Sequence, residues 1–359
     1  ARQLRLVLVG DGESPHLLKW ARALAPRAEV WVASTRAFTP GFDTVVPPSR
    51  RLALKLSLAF EGGNVKVLSS VPRLARWLKH VDADWIHAHY LTSHGTIACL
   101  AKLLWRLRGQ VVGSAWGSDI LVTPNRHWGL RRLTTWVLRN CTLCTSDSEY
   151  MAERMRTLGA TDVMVFPFGL ESMPEASDEK DDRLFFANRA LEPIYAPERV
   201  IDLFAQLSVC WPEARLVVAH DGTLRVTVEA KARDLGLADR VRFIGRIAEA
   251  DQARHYRKAR WYLSLPRSDS VSVSVLEAMA HGCIPLLSDL PANRELVRDG
   301  ENGLILQEGE AHVQRRLEAL LPQAERIGQI NRRWVERHAL FPAAVDRFLA
   351  RLESLRQPR

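Results

Sequence analysis

The sequence predicts an α/β protein built from two doubly wound domains. Three observations carry that expectation. Short apolar strands alternate with amphipathic helices along the first half, a polar aperiodic stretch interrupts them near the middle, and a second alternating series follows. A chain of 359 residues is about twice the usual domain length, so two cores are the natural division.

In the first half, LRLVLVG (4–10) leads to PHLLKWARALA (15–25), and AEVWVAS (28–34) follows. NVKVL (64–68), read as a strand, precedes VPRLARWLKHV (71–81), and DWIHAHY (84–90) leads to GTIACLAKLLWRL (95–107). QVVGSAWGSD (110–119) precedes a Trp-rich helix, CTLCTSDS (141–148) leads to EYMAERMRTLG (149–159), and DVMVFPFG (162–169) closes the set. Strands joined by helices of this length make βαβ units and a parallel sheet. The stretch ESMPEASDEKDD (171–182) is charged and without period, which marks a linker. RLFFANR (183–189), RLVVAHDG (215–222), RVRFIGR (240–246), RWYLSLP (260–266), IPLLSD (284–289) and GLIL (303–306) then repeat the pattern, each but the last followed by a helical segment. The expected domains are 1–170, 171–340 and a closing amphipathic helix in 341–359, with the two sheets facing a shared cleft.

Composition narrows the class. There is no run of 18 uninterrupted apolar residues, and the opening ARQLRLVLVGDGESP does not read as a secretory signal, so a cytoplasmic protein is expected. Five cysteines agree with a reducing compartment rather than a disulfide framework. The net charge of +9 is concentrated: residues 1–175 hold 22 Lys and Arg against 14 Asp and Glu, the remainder 28 against 27. RRLALKLSLAF (50–60), VPRLARWLKHV (71–81), KLLWRLRG (102–109) and RHWGLRRLTTWVLR (126–139) mix cations with Trp and Leu, a composition suited to helices lying on an anionic membrane surface. A solvated face over a Trp-containing core gives the same composition. No nucleic-acid motif accompanies the basic residues, so nucleic acid is not an expected partner.

The segment 264–306 carries the chemistry. A buried strand, RWYLSLP, is followed by a loop and the helix VSVLEAMAHG (273–282), ended by Gly282. In an open α/β sheet such a loop lies at the carboxyl edge of the strands, where a helix start directs free N–H groups at an anion. The N–H groups of 271–274, Val271 and Val273 among them, and the hydroxyls of Ser270, Ser272 and Ser274 are the expected donors. Glu277, one turn into the helix, is placed to accept from vicinal hydroxyls. Asp269, on the loop, would face a sugar. A plain capped amphipathic helix is the alternative.

The residues Asp269, Glu277, AMAHGCIP, RELV and DGENG resemble the signature of the retaining glycosyltransferases of family 4, of GT-B fold, in which two Glu separated by seven intervening residues precede an Ala-Met-Ala helix. The first carboxylate departs, being Asp. The resemblance extends more weakly over nearly the whole chain. It implies that Glu277 holds the donor ribose, that Asp269 contacts the transferred sugar or its phosphate, and that the last helix crosses back onto the first domain. SAWGSD (114–119) is similar to the family's His-Gly-x-Asp element, with Gly117 and Asp119 in place and Trp116, kept as a stacking surface, where His would stand. Arg189 is the expected pyrophosphate clamp, because a planar guanidinium bridges two phosphate oxygens without a metal. Relatives usually carry a Lys about six residues on, where this chain has Tyr195; Arg199 is a substitute or a helix-surface residue. Asn188 would hydrogen-bond a phosphate or cap the loop. The nucleobase would lie by VRFIGRI (241–247), ending at Ile247, held by backbone groups.

In the first domain, Gly10 and Gly12 follow the first strand and would let N–H groups approach a phosphate or an acceptor hydroxyl, although a tight turn explains them equally. His87 and His89 alternate on a strand, read as unable to face the cleft equally, and His89, nearer the strand end, is the candidate. Cys141 and Cys144 form a CxxC read as buried on a strand with the two thiols on opposite faces, neither redox-active nor metal-binding. No metal or cofactor is expected, since no Asp-x-Asp element stands in a suitable context. The expected activity is retaining, metal-independent transfer of a sugar from a nucleoside diphosphate sugar, UDP or GDP, to a hydroxyl of a lipid-linked, lipopolysaccharide or polysaccharide acceptor at the inner membrane surface. The alternatives are a degenerate member that binds without transfer, and a GT-B-fold epimerase or phosphorylase, for which no proton-transferring pair or lysine-linked cofactor site can be placed.

Overall fold

The computed structural model describes residues 2–57, 65–176 and 179–356. The chain divides into two compact units, Ala1–Phe166 with Phe341–Arg359, and Pro167–Leu340. The strands of the first are β1 (Arg5–Gly10), β2 (Glu29–Ser34), β3 (Arg51–Ala53), β4 (Trp85–His89), β5 (Gln110–Ser114), β6 (Leu143–Ser146) and β7 (Val163–Val165), in the order β3-β2-β1-β4-β5-β6-β7. Those of the second are β8 (Asp181–Ala187), β9 (Arg215–Ala219), β10 (Val241–Gly245), β11 (Ala259–Ser264), β12 (Ile284–Ser288) and β13 (Leu304–Leu306), in the order β10-β9-β8-β11-β12-β13. Every pairing is parallel. Each sheet reverses its winding once, between β1 and β4 and between β8 and β11, and at such a reversal the loops part to leave a crevice beyond the strand ends.

In the second unit, Asp181 and Asp182 of the expected linker open β8, and the helix Val313–Leu320 follows the last strand, where none was expected. Two elements of the first unit also differ from expectation. NVKVL is not a strand: Val65–Ser70 form a 3-10 turn running into the helix Val71–Val81. The third strand of the first sheet is Arg51–Ala53, inside the stretch read as a membrane-surface helix. Its three residues are only half-buried at the sheet edge, so they leave no apolar run to detect. Residues 58–60 of that stretch, Asn64 of NVKVL, and Ser177 and Asp178 of the expected linker lie outside the described residues.

The second unit closes where the chain returns. Leu170 N–H donates to the Ala339 carbonyl at 2.9 Å. Gly169 presses so near that a Cβ there would sit 1.9 Å from the same oxygen. Beyond it, the helix Phe341–Ser354 packs on the first unit through Phe341 and Phe348, whose rings meet the edge of Trp20 at 5.0 and 5.2 Å, and through an Arg351–Asp162 ion pair of 2.7 Å. Among the described residues no helix is long and apolar enough to cross a membrane.

Candidate functional site

In the second unit the winding reversal brings the predicted residues together. Arg189 follows β8, and Asp269 lies on the loop after β11. Its carboxylate accepts from the Arg189 guanidinium at 2.6 Å. The same Nη1 donates to Ser264 Oγ at 3.1 Å, and the guanidinium carbon sits 4.4 Å from the centroid of the Tyr195 ring. Burial alone would favour the neutral arginine, but the adjoining Asp269 carboxylate outweighs it and holds the proton more tightly than usual.

The helix Val273–Ala280 begins at Ser272, whose hydroxyl accepts from Val275 N–H, and gives way at Gly282 with φ +76°. Ser270 and Val271 are buried at its approach. Ser270 N–H donates to the Asp269 carboxylate at 3.0 Å, while Val273 and Ser274 open the helix half-buried. One turn in, Glu277 accepts from the Tyr256 hydroxyl at 3.0 Å.

Tyr256 belongs to a hydrogen-bond chain absent from the sequence reading. Tyr262 donates to Asn188 Oδ1 at 2.5 Å, and Asn188 Nδ2 donates to the Tyr256 hydroxyl at 2.7 Å and to Gln252 Oε1 at 2.5 Å. Asn188, expected to meet a phosphate or cap the loop, instead faces inward with both ends of its amide engaged. Burial, with Tyr262 and Glu277 nearby, pushes the Tyr256 phenol up, so it remains a donor to the carboxylate. Tyr256 is itself fixed from below. Lys180 Nζ donates to the Tyr256, Arg257 and Ala259 carbonyls at 2.7, 3.0 and 3.1 Å, engaging carbonyls at the C-terminal end of the helix Glu249–Lys258. Tyr262 lies in a strand that the sequence identified; Tyr256 lies in a highly polar helix with no apolar stripe to announce it. Arg199 does not join Arg189 but pairs with Glu308 at 2.8 Å. Ile247 packs half-buried beside the core that holds Tyr256 and Tyr262.

In the first unit the candidates have other work. Asp119 is fully buried, and its carboxylate accepts from the N–H groups of Leu91 at 2.8 Å and of Trp116 and Gly117 at 3.0 Å. It therefore staples the loop, with no surface for a ligand; burial pushes its carboxyl pKa up, against the pull of those three donors. Gly117 takes φ +128°, a backbone conformation L side chains rarely adopt. Gly12 N–H donates to Ser34 Oγ at 2.8 Å, and a Cβ on Gly12 would lie 2.5 Å from the Ala37 carbonyl oxygen, so this glycine permits loop packing rather than offering a free donor. Gly10 lies against Leu17 and His89.

His87 and His89 share one face, as residues two apart on a strand must, with ring centroids 4.0 Å apart and both fully buried. The expectation that they face unequally was incorrect. His87 Nε2 shares a hydrogen bond with Ser114 Oγ at 2.6 Å, while neither ring nitrogen of His89 has a hydrogen-bond partner among the described residues. Burial lowers both, His87 to about 3. Trp116 is half-buried and meets His16 and His89 edge-on, at 5.3 and 6.1 Å between centroids. Cys141 caps the helix Trp128–Asn140 rather than lying on a strand, and it is buried in the same core as Cys144 and Cys99, so the CxxC pair does not part to opposite faces of the sheet. Among the described residues no group of three or more His, Cys, Asp or Glu could hold a metal ion.

Two parallel sheets, each reversed once, with a guanidinium, two carboxylates and a helix start at the second reversal, define a two-domain α/β architecture of the GT-B type. Residues 168–336 match the family described as glycosyl transferases group 1, and residues 5–148 match that described as glycosyl transferase 4-like. The chain belongs to the group 1, GT4-like, glycosyltransferases. It is similar to a phosphatidyl-myo-inositol mannosyltransferase of Mycobacterium leprae, with 24% identity over 321 residues, covering 84% of this chain and 81% of the relative. An N-acetyl-alpha-D-glucosaminyl L-malate synthase of Bacillus anthracis is 22% identical over 256 residues, covering 68% and 66% of the two chains. Among solved structures, Anabaena Alr3699/HepE in complex with UDP and glucose superposes with a TM-score of 0.79 at 16% identity, over 98% of this chain and 99% of that one. The lipopolysaccharide outer core galactosyltransferase WaaB gives 0.70 at 14%, over 96% and 98%.

Proposed function

We propose that this glycosyltransferase moves a sugar, with retention, from a nucleoside diphosphate sugar to a hydroxyl of a lipid-linked or polysaccharide acceptor at a membrane surface. The observation that carries the reading is the meeting of Arg189, Asp269 and the Tyr256-held Glu277 around the start of the helix Val273–Ala280. Glu277 is fixed by a phenol donor and stands where ribose hydroxyls would reach it. Arg189 and the helix N–H groups would take the diphosphate, supplying positive charge as it departs, so no metal is needed for that step. The sugar–phosphate C–O bond breaks, the acceptor oxygen bonds to the same carbon from the face just vacated, and the acceptor proton passes to the departing phosphate oxygen.

The relatives lend support to the donor and acceptor classes. The HepE protein was solved with UDP, the mycobacterial relative is described as acting on phosphatidyl-myo-inositol, and WaaB acts in the lipopolysaccharide outer core. UDP or GDP is the proposed nucleotide. Calorimetric titration with UDP, GDP and ADP, without metal and then with magnesium, repeated on Glu277→Ala, tests the reading. Micromolar, metal-independent binding of one nucleotide that Glu277→Ala abolishes is expected; binding of none would sink the donor assignment.

A further inference from the structure

The first unit contains an apolar cavity of about 440 Å³ that the transfer reading does not use. That volume lies within the usual range of about 300–1,000 Å³ for ligand pockets. Its walls are the turn Val65–Ser70, the helix Thr96–Trp105 and the helix Trp128–Asn140, with Val67, Ile97, Leu100, Leu133 and Trp136 in the lining. Thr92 and Ser93, just past the carboxyl end of β4, form one side, so the cavity opens beside the edge of the sheet.

The surface around the mouth is also apolar. Leu103 and Leu104 continue the stripe of Thr96, Ile97 and Leu100 by helical spacing and are 51% and 67% exposed. Leu68 and Trp128 are exposed as well. Burying that stripe in a folded monomer requires something the described residues do not provide. Charge selects what it is. Segments 65–81 and 91–140 together contain eleven Lys and Arg and a single acidic residue, Asp119, which is fully buried. Lys66, Arg126, Arg131 and Arg132 are exposed among the apolar residues, and the Arg132 guanidinium lies 5.1 Å from the centroid of the Trp128 ring. A second copy of the chain would bring like charges together. Nucleic acid would leave the apolar floor uncovered. A hydrocarbon chain beneath anionic headgroups satisfies both features at once, with Trp and Arg at the interface.

We propose that the cavity takes one acyl chain of an anionic phospholipid from a bilayer surface, with Leu68, Leu103, Leu104 and Trp128 entering the interface and the four cations meeting headgroup phosphates. The proposal deepens the membrane-surface reading above, but its test does not use sugar transfer. Full-length protein is sedimented with vesicles of phosphatidylglycerol and phosphatidylcholine, and with phosphatidylcholine alone. Acyl-chain-brominated phosphatidylglycerol then reports the cavity as the quenching lost in Trp136→Phe. Leu100→Phe and Leu133→Phe narrow the cavity from opposite, half-exposed walls without adding an indole, with circular dichroism and melting temperature confirming that each folds.

The expected result is binding at least tenfold stronger to the anionic vesicles, Trp136-dependent quenching, and loss of that quenching in both fillers. Absence of binding to anionic vesicles overturns the proposal. Binding with quenching unchanged by either filler overturns it too, since the surface would then adsorb by charge alone. A dimer in sedimentation that Leu100→Phe dissociates would give the cavity to a second copy and likewise overturn it. Vesicle binding without nucleotide binding would leave the lipid site standing while the donor reading fails; nucleotide binding without vesicle binding would do the reverse.

Discussion

Replacing Asp269 by asparagine tests the ion pair at the centre of the second unit. Arg189 and Asp269 approach to 2.6 Å with side chains 15% and 17% exposed, so solvent screens them only partly. Two unit charges about 4 Å apart at an effective dielectric of about 20 attract by about 4 kcal/mol. A diphosphate that draws on the same guanidinium must compete with that attraction. Residual exposure and the Ser264 contact reduce the competing part to roughly 1–3 kcal/mol, equivalent to about 5- to 150-fold in affinity. Asp269→Asn keeps the shape and removes the charge, and is expected to tighten UDP or GDP binding by that factor. Turnover of the nucleotide sugar should fall, because the carboxylate offered to the sugar is gone. Titration calorimetry at fixed ionic strength reads the affinity, and Arg189→Met should abolish the gain in the double variant. Unchanged or weaker nucleotide binding by a folded Asp269→Asn protein would refute the competition, and with it the placement of the diphosphate on Arg189.

Tyr256→Phe removes the hydroxyl that holds Glu277 and receives Asn188. A hydrogen bond to a charged group contributes about 1.5–3 kcal/mol, so nucleotide affinity should fall at least tenfold by calorimetry, while Asn188 retains Gln252 and the fold persists. Stability should also fall with pH. His87 and His94 are held by burial to about 3 and about 4, and His89 well below its ordinary value. The unfolded chain, titrating near 6.5, therefore binds more protons below that pH. Each histidine's contribution is complete above about pH 6.5 and is lost at up to about 1.4 kcal/mol per pH unit as the pH falls toward its native value. Urea midpoints at pH 7.5, 6 and 5 should decline in that order, and a constant midpoint would mean the rings are not buried neutral. Gly169→Ala places a methyl 1.9 Å from the Ala339 carbonyl oxygen, and overpacking of this kind costs about 1–3 kcal/mol or more, readable as a lowered melting temperature.

Period carried most of the fold into view. Strands such as Arg5–Gly10 and Ala259–Ser264 are buried along nearly their whole length and read as nearly continuous apolar runs, so their helices and the parallel sheets follow. Arg51–Ala53 escaped because an edge strand of three half-buried residues carries no such run, and the neighbouring NVKVL imitated one. The site was legible where a residue's charge is unusual for its place: Arg189 at a strand end, and Asp269 and Glu277 flanking a helix start. Direction was not legible. Asp119 and Asn188 stand at the expected loops, yet both turn inward, one to backbone N–H groups and the other to two tyrosines. Whether a short polar side chain serves a ligand or its own loop is decided by which donors the tertiary fold leaves within reach, and a linear sequence does not hold that information.

The departures from the family pattern in the second unit act on the same group. Where the resemblance places a lysine, Tyr195 sets a ring against the Arg189 guanidinium, exchanging a like-charge neighbour for the attractive face of an aromatic. Where it places the first glutamate, Asp269 is one methylene shorter and still reaches Arg189. With the lysine absent, one cation and one adjacent carboxylate balance, whereas a lysine beside Arg189 would leave an excess positive charge already facing the diphosphate. The affinity of this site should therefore depend more steeply on Arg189 and on the N–H groups that open the helix Val273–Ala280. That dependence makes the Asp269 carboxylate a strong lever on binding, because among the described residues Arg189 is the cation it pairs with.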